Sequence, residues 1–126
     1  MTTPALHGVV VCHGDLARAL VTAVEEISGI RGALIPVSNT GCDRGRLEER
    51  IVEAVDGRPS VVFIDMPSGS CLFAAARRLS GTAEARLVTG VNLAMLVDFV
   101  FHRELAPDQA AERAIETGAK AIASRR

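Results

Sequence analysis

Residues 6–15 read LHGVVVCHGD, and the order of residue types in this segment predicts the class of fold. Its first seven residues form an apolar run of strand length, which the polar residues HGD end abruptly. Apolar side chains then recur at helical spacing over residues 16–27. A buried strand that leads directly into a helix predicts one strand–helix unit of a parallel sheet.

The same alternation recurs along the chain. Further apolar runs of strand length precede helical periods at residues 33–37 (ALIPV), 60–65 (SVVFID) and 85–89 (ARLVT). We therefore expect one α/β domain over residues 1–126, with an open, mostly parallel four-stranded sheet and helices on both faces.

Prolines and glycines mark several expected boundaries. Pro36 places the second strand near an edge of the sheet, Pro107 suits the first turn of a last helix, and Gly118 is expected to end that helix. Residues 119–124 (AKAIAS) either continue the last helix or add a short edge strand.

Composition excludes several classes of function. The 126 residues carry a net charge of −1, with no basic stripe for nucleic acid and no apolar run long enough to span a bilayer. The start MTTPAL has no signal-peptide character, and three cysteines without a C-x-x-C motif predict no disulfide framework. We expect a cytoplasmic protein with reduced thiols.

The chemistry is expected where the strands end, since ligands of such sheets bind beyond the carboxyl ends of the strands. His13 follows the first strand and Asp65 ends the third. A carboxylate that accepts from one ring nitrogen leaves the other as a nucleophile. The loop Ser68-Gly69-Ser70 opens a helix and offers backbone N–H groups to an anion. Nucleophile, orienting acid and anion loop together predict phosphoryl transfer.

Plainer interpretations remain open for the same residues. His13 could be a hydrogen-bonded structural residue, Ser68 or Ser70 could only cap a helix, and Gly69 could only serve the backbone. Cys12 adjoins His13 and Cys71 adjoins the loop at residues 68–70, so both thiols approach the site and suggest a Cys/His metal site. Against this, successive strand residues point to opposite faces, so Cys12 and His13 would not readily bind one ion. We therefore expect no metal, and we expect the cysteines to act as small hydrophobic residues.

Three segments carry a resemblance that covers nearly the whole chain: GVVVCHGDLARALVTAVEEISG (residues 8–29), FIDMPSGSCLFAAARRL (63–79) and LVTGVNLAMLVDFV (87–100). They resemble the IIA domain of the mannose-type phosphoenolpyruvate-dependent sugar phosphotransferase system. Many relatives have Trp-Gly-Gly-Ser-Pro or Phe-Gly-Gly-Ser-Pro where residues 67–71 here read PSGSC.

The resemblance implies a phosphotransferase component. His13 would accept a phosphoryl group from the phosphocarrier HPr and pass it to a IIB protein for sugar uptake, with Asp65 bonding the other ring nitrogen. Gly14, Ser68, Gly69 and Ser70 would line the phosphoryl group, and Ser70 would also belong to the catalytic set.

The resemblance further implies a homodimer with no metal or organic cofactor, which meets the membrane only through a sugar permease complex. In some relatives a C-terminal strand is exchanged between subunits. The alternative function is a stand-alone regulatory phosphocarrier, in which the phosphorylation state of His13 controls a partner protein.

Overall fold

The computed structural model describes residues 5–82 and 84–126; Ala83 and residues 1–4, the first part of the MTTPAL start, lie outside the described residues. Strands and helices alternate as expected. They are β1 (His7–Cys12), α1 (Leu16–Ser28), β2 (Leu34–Ser38), α2 (Arg44–Val55), β3 (Ser60–Ile64), α3 (Ser70–Leu79), β4 (Ala85–Thr89), α4 (Leu93–Val100) and α5 (Pro107–Lys120).

The four strands form one parallel sheet in the order β2-β1-β3-β4. The predicted α/β class is confirmed, and β2 is an edge strand, as Pro36 indicated. Every residue of β1 and β3 is buried, because these two central strands are covered on both faces.

Alternate residues of the strands supply two apolar clusters on opposite faces of the sheet. Val10 and Phe63 face α1, α4 and α5, where the ring of Phe63 meets that of Phe99 edge to face at 5.2 Å. Val9 and Val62 face α2 and α3. Helices therefore cover both faces, and the core is built mainly from aliphatic side chains.

The connections between strands place a crevice between β1 and β3. The chain leaves β1 through α1 on one face, whereas it leaves β3 through α3 on the other face. The loops that follow β1 and β3 consequently separate at the carboxyl edge of the sheet, which is where ligands bind in folds of this kind.

Different hydrogen bonds fix the amino and carboxyl edges of the sheet. At the amino edge, the backbone N–H of Leu6 donates to the carbonyl of Arg103 at 2.8 Å, and the Arg103 guanidinium donates back to the carbonyl of Leu6. At the carboxyl edge, Val91, which follows β4, donates to the carbonyl of Ile64 at the end of β3.

The expectation that Gly118 ends the last helix is wrong. The helix α5 continues through Gly118 to Lys120, and residues 122–126 form neither helix nor strand. A Cβ at position 118 would lie 2.7 Å from Cε and 3.2 Å from Cβ of Met95 in α4. Glycine is therefore present because α5 crosses α4 closely.

Within residues 5–82 and 84–126, no helix is both long enough and apolar enough to cross a bilayer.

Candidate functional site

The predicted nucleophile and acid lie side by side at the carboxyl edge of the sheet. The Nδ1 atom of His13 is 2.7 Å from Oδ2 of Asp65, and the backbone N–H of His13 donates to the same oxygen at 2.8 Å. The adjacent strands β1 and β3 bring the two residues together across 52 positions of sequence. One carboxylate oxygen thus fixes both the backbone and the ring of His13.

Burial distinguishes the two partners. The Asp65 side chain is only 9% exposed, whereas the His13 side chain is 45% exposed. Because a carboxylate can only accept, Nδ1 carries the proton and Nε2 keeps its lone pair. The ring is therefore oriented by a buried acid, and its second nitrogen is left without a partner among the described residues.

The loop after Asp65 carries the expected anion-binding residues. Ser68 and Ser70 are exposed, and Gly69 precedes the first residue of α3. Gly69 has φ 95° and ψ −175°, which other residues adopt only under strain, and its added Cβ would lie 3.9 Å from Cε1 of His13. The loop brings the N-terminus of the ten-residue helix α3 beside the His13 ring, and the open N–H groups of a first helical turn attract anions.

The backbone N–H and carbonyl of Gly14, a predicted phosphate-binding residue, already have hydrogen-bond partners. Its backbone N–H donates to Oδ1 of Asn39 at 3.1 Å, and its carbonyl accepts from the Ser38 hydroxyl at 2.7 Å. Ser38 ends the edge strand β2 and Asn39 follows it; both were missed by the sequence analysis, although polar residues at a strand end are a usable signal. They hold the His13 loop in place from the β2 side.

The thiol that approaches the ring belongs to Cys71, not to Cys12. The Sγ atom of Cys71 lies 3.8 Å from Nδ1 of His13, and all three cysteines are free. Burial, followed by the negative charge of Asp65, raises the pKa of Cys71 to about 11 and that of Cys12 to about 12. Both buried thiols are thus protonated at neutral pH.

Asn92, in the third segment of the resemblance, has a structural role. Its Oδ1 accepts from the backbone N–H of Met95 and caps α4, while its Nδ2 donates to the carbonyl of Gly118 at 3.0 Å. The bond ties the last turn of α5 to the carboxyl edge of the sheet.

The other two histidines lie away from the site. His7 is buried at the amino end of β1, where Nε2 lies 3.0 Å from the Ala54 carbonyl. His102 lies beyond the end of α4, with Nδ1 2.7 Å from the carbonyl of Asp98. Neither contacts Asp65 or the loop at residues 68–70.

The site thus combines a half-exposed strand-end histidine, a buried acid and an open helix N-terminus, and such groups are able to bind and transfer an anion. Residues 8–116 match the family model described as PTS system fructose IIA component. The chain belongs to this family, whose members are components of the sugar phosphotransferase system with a general role in phosphoryl transfer. Among curated proteins no similar sequence was found.

Solved structures share the fold over almost the whole chain. Phosphotransferase system component EIIA from Streptococcus agalactiae is 17% identical, with a TM-score of 0.87 over 94% of this chain and 96% of that chain. The mannose/sorbose specific IIA subunit from Enterococcus faecalis is 18% identical, with a TM-score of 0.85 over 98% and 96%. A sigma-54 interaction domain protein from Enterococcus faecalis is 11% identical, with a TM-score of 0.79 over 95% of each chain.

Proposed function

We propose that this chain is a histidine phosphocarrier of the sugar phosphotransferase system, in which Nε2 of His13 accepts a phosphoryl group from HPr and passes it to a IIB protein for sugar uptake. The observation that carries the proposal is the 2.7 Å contact between Nδ1 of His13 and Oδ2 of Asp65, beside a ring that is 45% exposed. Family membership supports the general phosphoryl-transfer role.

The step needs little covalent chemistry from the protein. The lone pair on Nε2 attacks phosphorus, the new N–P bond forms, and the bond to the donor nitrogen breaks as that nitrogen keeps the electron pair. Catalysis of such an in-line transfer consists of positioning and charge stabilisation. No metal or organic cofactor is part of the proposed step.

Asp65 has two tasks in this scheme. It keeps the proton on Nδ1, so that Nε2 is the nucleophile, and it stabilises the positive charge that grows on the ring as Nε2 bonds to phosphorus. Its burial strengthens both effects, because charge interactions are less screened away from water.

The phosphoryl oxygens would lie against the loop that precedes α3. The hydroxyls of Ser68 and Ser70 and the open N–H groups of the first turn supply donors, and the helix dipole favours the negative charge. In this proposal Gly14 shapes the His13 loop through Asn39, since its N–H is already bonded there.

The margin of the site suits a protein partner rather than a small substrate. Met66 and Phe73 lie on either side of the loop in sequence and are 52% and 57% exposed, so apolar side chains that flank the loop are available to a partner surface. Arg44 and Arg77 line a shallow groove next to Phe73. We propose that HPr and the IIB protein dock in turn on this margin.

We also propose that residues 1–126 act as one domain in the cytoplasm and associate as a homodimer that reaches the membrane only through a permease complex. Exposed Phe101 and Ile115, on the α4–α5 side, support an interface there. Light scattering on the wild type and on Ile115→Lys tests the dimer: the variant should be monomeric, and an equally monomeric wild type would reject it.

The test of the carrier is a reconstitution with labelled phosphoenolpyruvate, enzyme I and HPr. Wild type should gain acid-labile phosphate, and His13→Ala should gain none. His102→Ala is the matched control, since it removes a partly exposed imidazole far from Asp65 and should be labelled like wild type. Unlabelled wild type, or labelled His13→Ala, would reject the proposal.

In a second candidate function, His13 is still phosphorylated but the protein has no role in sugar transport. The fold shared with a sigma-54 interaction domain protein favours a regulatory carrier, whose His13 state controls a partner protein. The two candidates differ in the fate of the phosphate. Labelled phosphoprotein, mixed with IIB and sugar, should lose its phosphate quickly if the protein serves transport and should keep the phosphate if the protein serves regulation. Genes for IIB and permease subunits beside the gene for this protein would favour transport.

A further inference from the structure

Three different metal-ligating groups converge at the ring of His13. Nδ1 of His13, a carboxylate oxygen of Asp65 and Sγ of Cys71 all lie within 4.8 Å of one another. Sγ is 3.8 Å and Oδ2 is 2.7 Å from Nδ1. Imidazole, thiolate and carboxylate are the three ligand types that proteins offer to Zn²⁺.

A separate observation also points to a cation. Oδ1 of Asp65 is fully buried and has no hydrogen-bond partner among the described residues, although the side chain is nine-tenths buried. The only basic side chain within salt-bridge distance of this acid in the described chain is His13 itself. Oδ2 is the oxygen beside Nδ1, and the unpartnered Oδ1 leaves the same buried carboxylate short of partners, a state that a positively charged ligand would relieve.

We propose that His13, Asp65 and Cys71 form a binding site for Zn²⁺ or a similar divalent transition-metal ion, and that the bound ion blocks phosphorylation of His13. The proposal that the ion binds does not depend on the function of the protein. The proposal that the ion blocks phosphorylation rests on the proposed phosphocarrier function.

The two separations measured from Nδ1 need only small adjustments. In a tetrahedral zinc site the nitrogen and oxygen ligand atoms lie about 3.3 Å apart, and nitrogen and sulfur about 3.6 Å apart. Compared with these separations, Sγ must approach Nδ1 slightly and Oδ2 must withdraw by about half an ångström. The half-exposed ring of His13 can make that shift, and a water molecule can take the fourth position.

The positions of the ring and thiol protons explain why a bound ion would prevent phosphorylation. The ion takes the lone pair of Nδ1, so the single ring proton moves to Nε2, and Cys71 releases its thiol proton to solvent as the metal–sulfur bond forms. No electron is transferred. The ring that binds the ion through Nδ1 has no lone pair on Nε2, and phosphorylation needs that lone pair. A bound ion is therefore expected to prevent phosphorylation of His13.

The binding test uses Co²⁺ as a spectroscopic probe, with Zn²⁺ as competitor. Cys42 is the most accessible of the three thiols, so the background is Cys42→Ser, which should bind one ion per chain and show the sulfur-to-cobalt charge-transfer band. Adding Cys71→Ala should abolish the band and weaken binding at least as much as the 10–100-fold loss that follows removal of a supporting residue.

The matched control replaces the other buried thiol: Cys12→Ala, in the same background, should keep the band. The site is rejected if Cys42→Ser binds no ion at micromolar Zn²⁺ or Co²⁺, or if the band and the affinity survive Cys71→Ala. Circular dichroism of each metal-free variant verifies that it is folded, so that loss of binding is not loss of structure.

The block is tested separately, by labelling each variant with and without Zn²⁺ in the same reconstitution mixture. Zn²⁺ should suppress labelling of Cys42→Ser at least tenfold and leave that of Cys42→Ser/Cys71→Ala unchanged, which also controls for effects on enzyme I and HPr. If metal-free protein takes up no label, the phosphocarrier function fails while the metal site stands on its spectrum. If the ion binds and labelling continues, the block is rejected.

Discussion

A single oxygen of Asp65 accepts from both the backbone N–H and Nδ1 of His13, at 2.8 and 2.7 Å. The two residues directly follow the neighbouring strands β1 and β3, so this oxygen links the strand ends beyond the last paired residues of the sheet. The ring can rotate little without losing the second bond. His13 is thus held in one orientation and one tautomer before any partner arrives.

The first prediction concerns that acid. Asp65→Asn keeps the shape of the side chain but removes its charge, so both the tautomer and the developing ring charge lose their support. We expect the rate of His13 phosphorylation to fall by about 10²-fold or more. Asp15→Asn is the matched control, because Asp15 is exposed, lies near the site and makes no capping bond. Equal rates for the two variants would contradict the role given to Asp65.

The second prediction concerns the backbone before α3. Gly69→Ala should lower the free energy of unfolding by about 1–3 kcal/mol, because φ 95° with ψ −175° strains any residue that has a Cβ. Urea unfolding measures the loss. Gly45→Ala, in the first turn of α2 and without a positive φ, should be neutral or stabilising by up to about 1 kcal/mol. Similar losses at both positions would show that the strain argument is wrong.

The third prediction concerns thiol reactivity. Because the pKa of Cys71 is raised to about 11 and that of Cys12 to about 12, both remain protonated and shielded until the pH approaches those values. A thiolate-selective reagent at mildly alkaline pH should label native protein once, at half-buried Cys42, and should not label Cys42→Ser. Peptide mass spectrometry identifies the site, and rapid labelling of Cys12 or Cys71 would contradict the prediction.

The fourth prediction concerns acid stability. Burial, and then the charge of Arg58, lower the pKa of His7 below its ordinary value of 6.5. The unfolded chain takes up a proton near pH 6.5 that the folded chain resists, so the stability from His7 is present above that pH and is lost as the pH falls below it. His7→Gln should lose less stability than wild type between neutral and mildly acid pH.

Urea midpoints at several pH values measure this difference. His102→Gln is the control, since it removes an imidazole that is 30% exposed, whereas His7 is buried. If His7→Gln and His102→Gln have the same pH dependence, the buried histidine is not the cause.

Periodicity alone predicted the layout of the sheet. The strand at residues 85–89 agrees with β4 in full, and the predicted ends of the other strands lie within one residue of the observed ones. Such strands are easily recognised because both faces are buried, so the apolar runs are continuous and end at polar residues. The rule on strand ends placed His13 and Asp65 at the same edge of the sheet. Their contact also needs β1 and β3 to be neighbours, and the sequence analysis did not predict the strand order.

Features that depend on contacts between helices could not be predicted in the same way. The alternation of strand side chains correctly separated Cys12 from His13. The place of Cys71 beside the loop predicted its approach to the site, but its contact with the ring depends on how α3 begins. Gly118 was misread because a helical glycine kept for a close helix crossing resembles one that ends a helix. The bond from Gly14 to Asn39 joins two loops, and loop contacts leave no periodic signal.

The bond between Asn92 and Gly118 has a practical consequence. It brings the end of α5 to the same side of the molecule as His13, whereas Leu6 lies at the opposite side, one strand of about 20 Å away. An affinity tag, a fluorophore or a surface anchor joined beyond α5 would crowd incoming proteins. The same attachment made ahead of Leu6 leaves the reactive side open, and should be chosen for immobilised or single-molecule measurements.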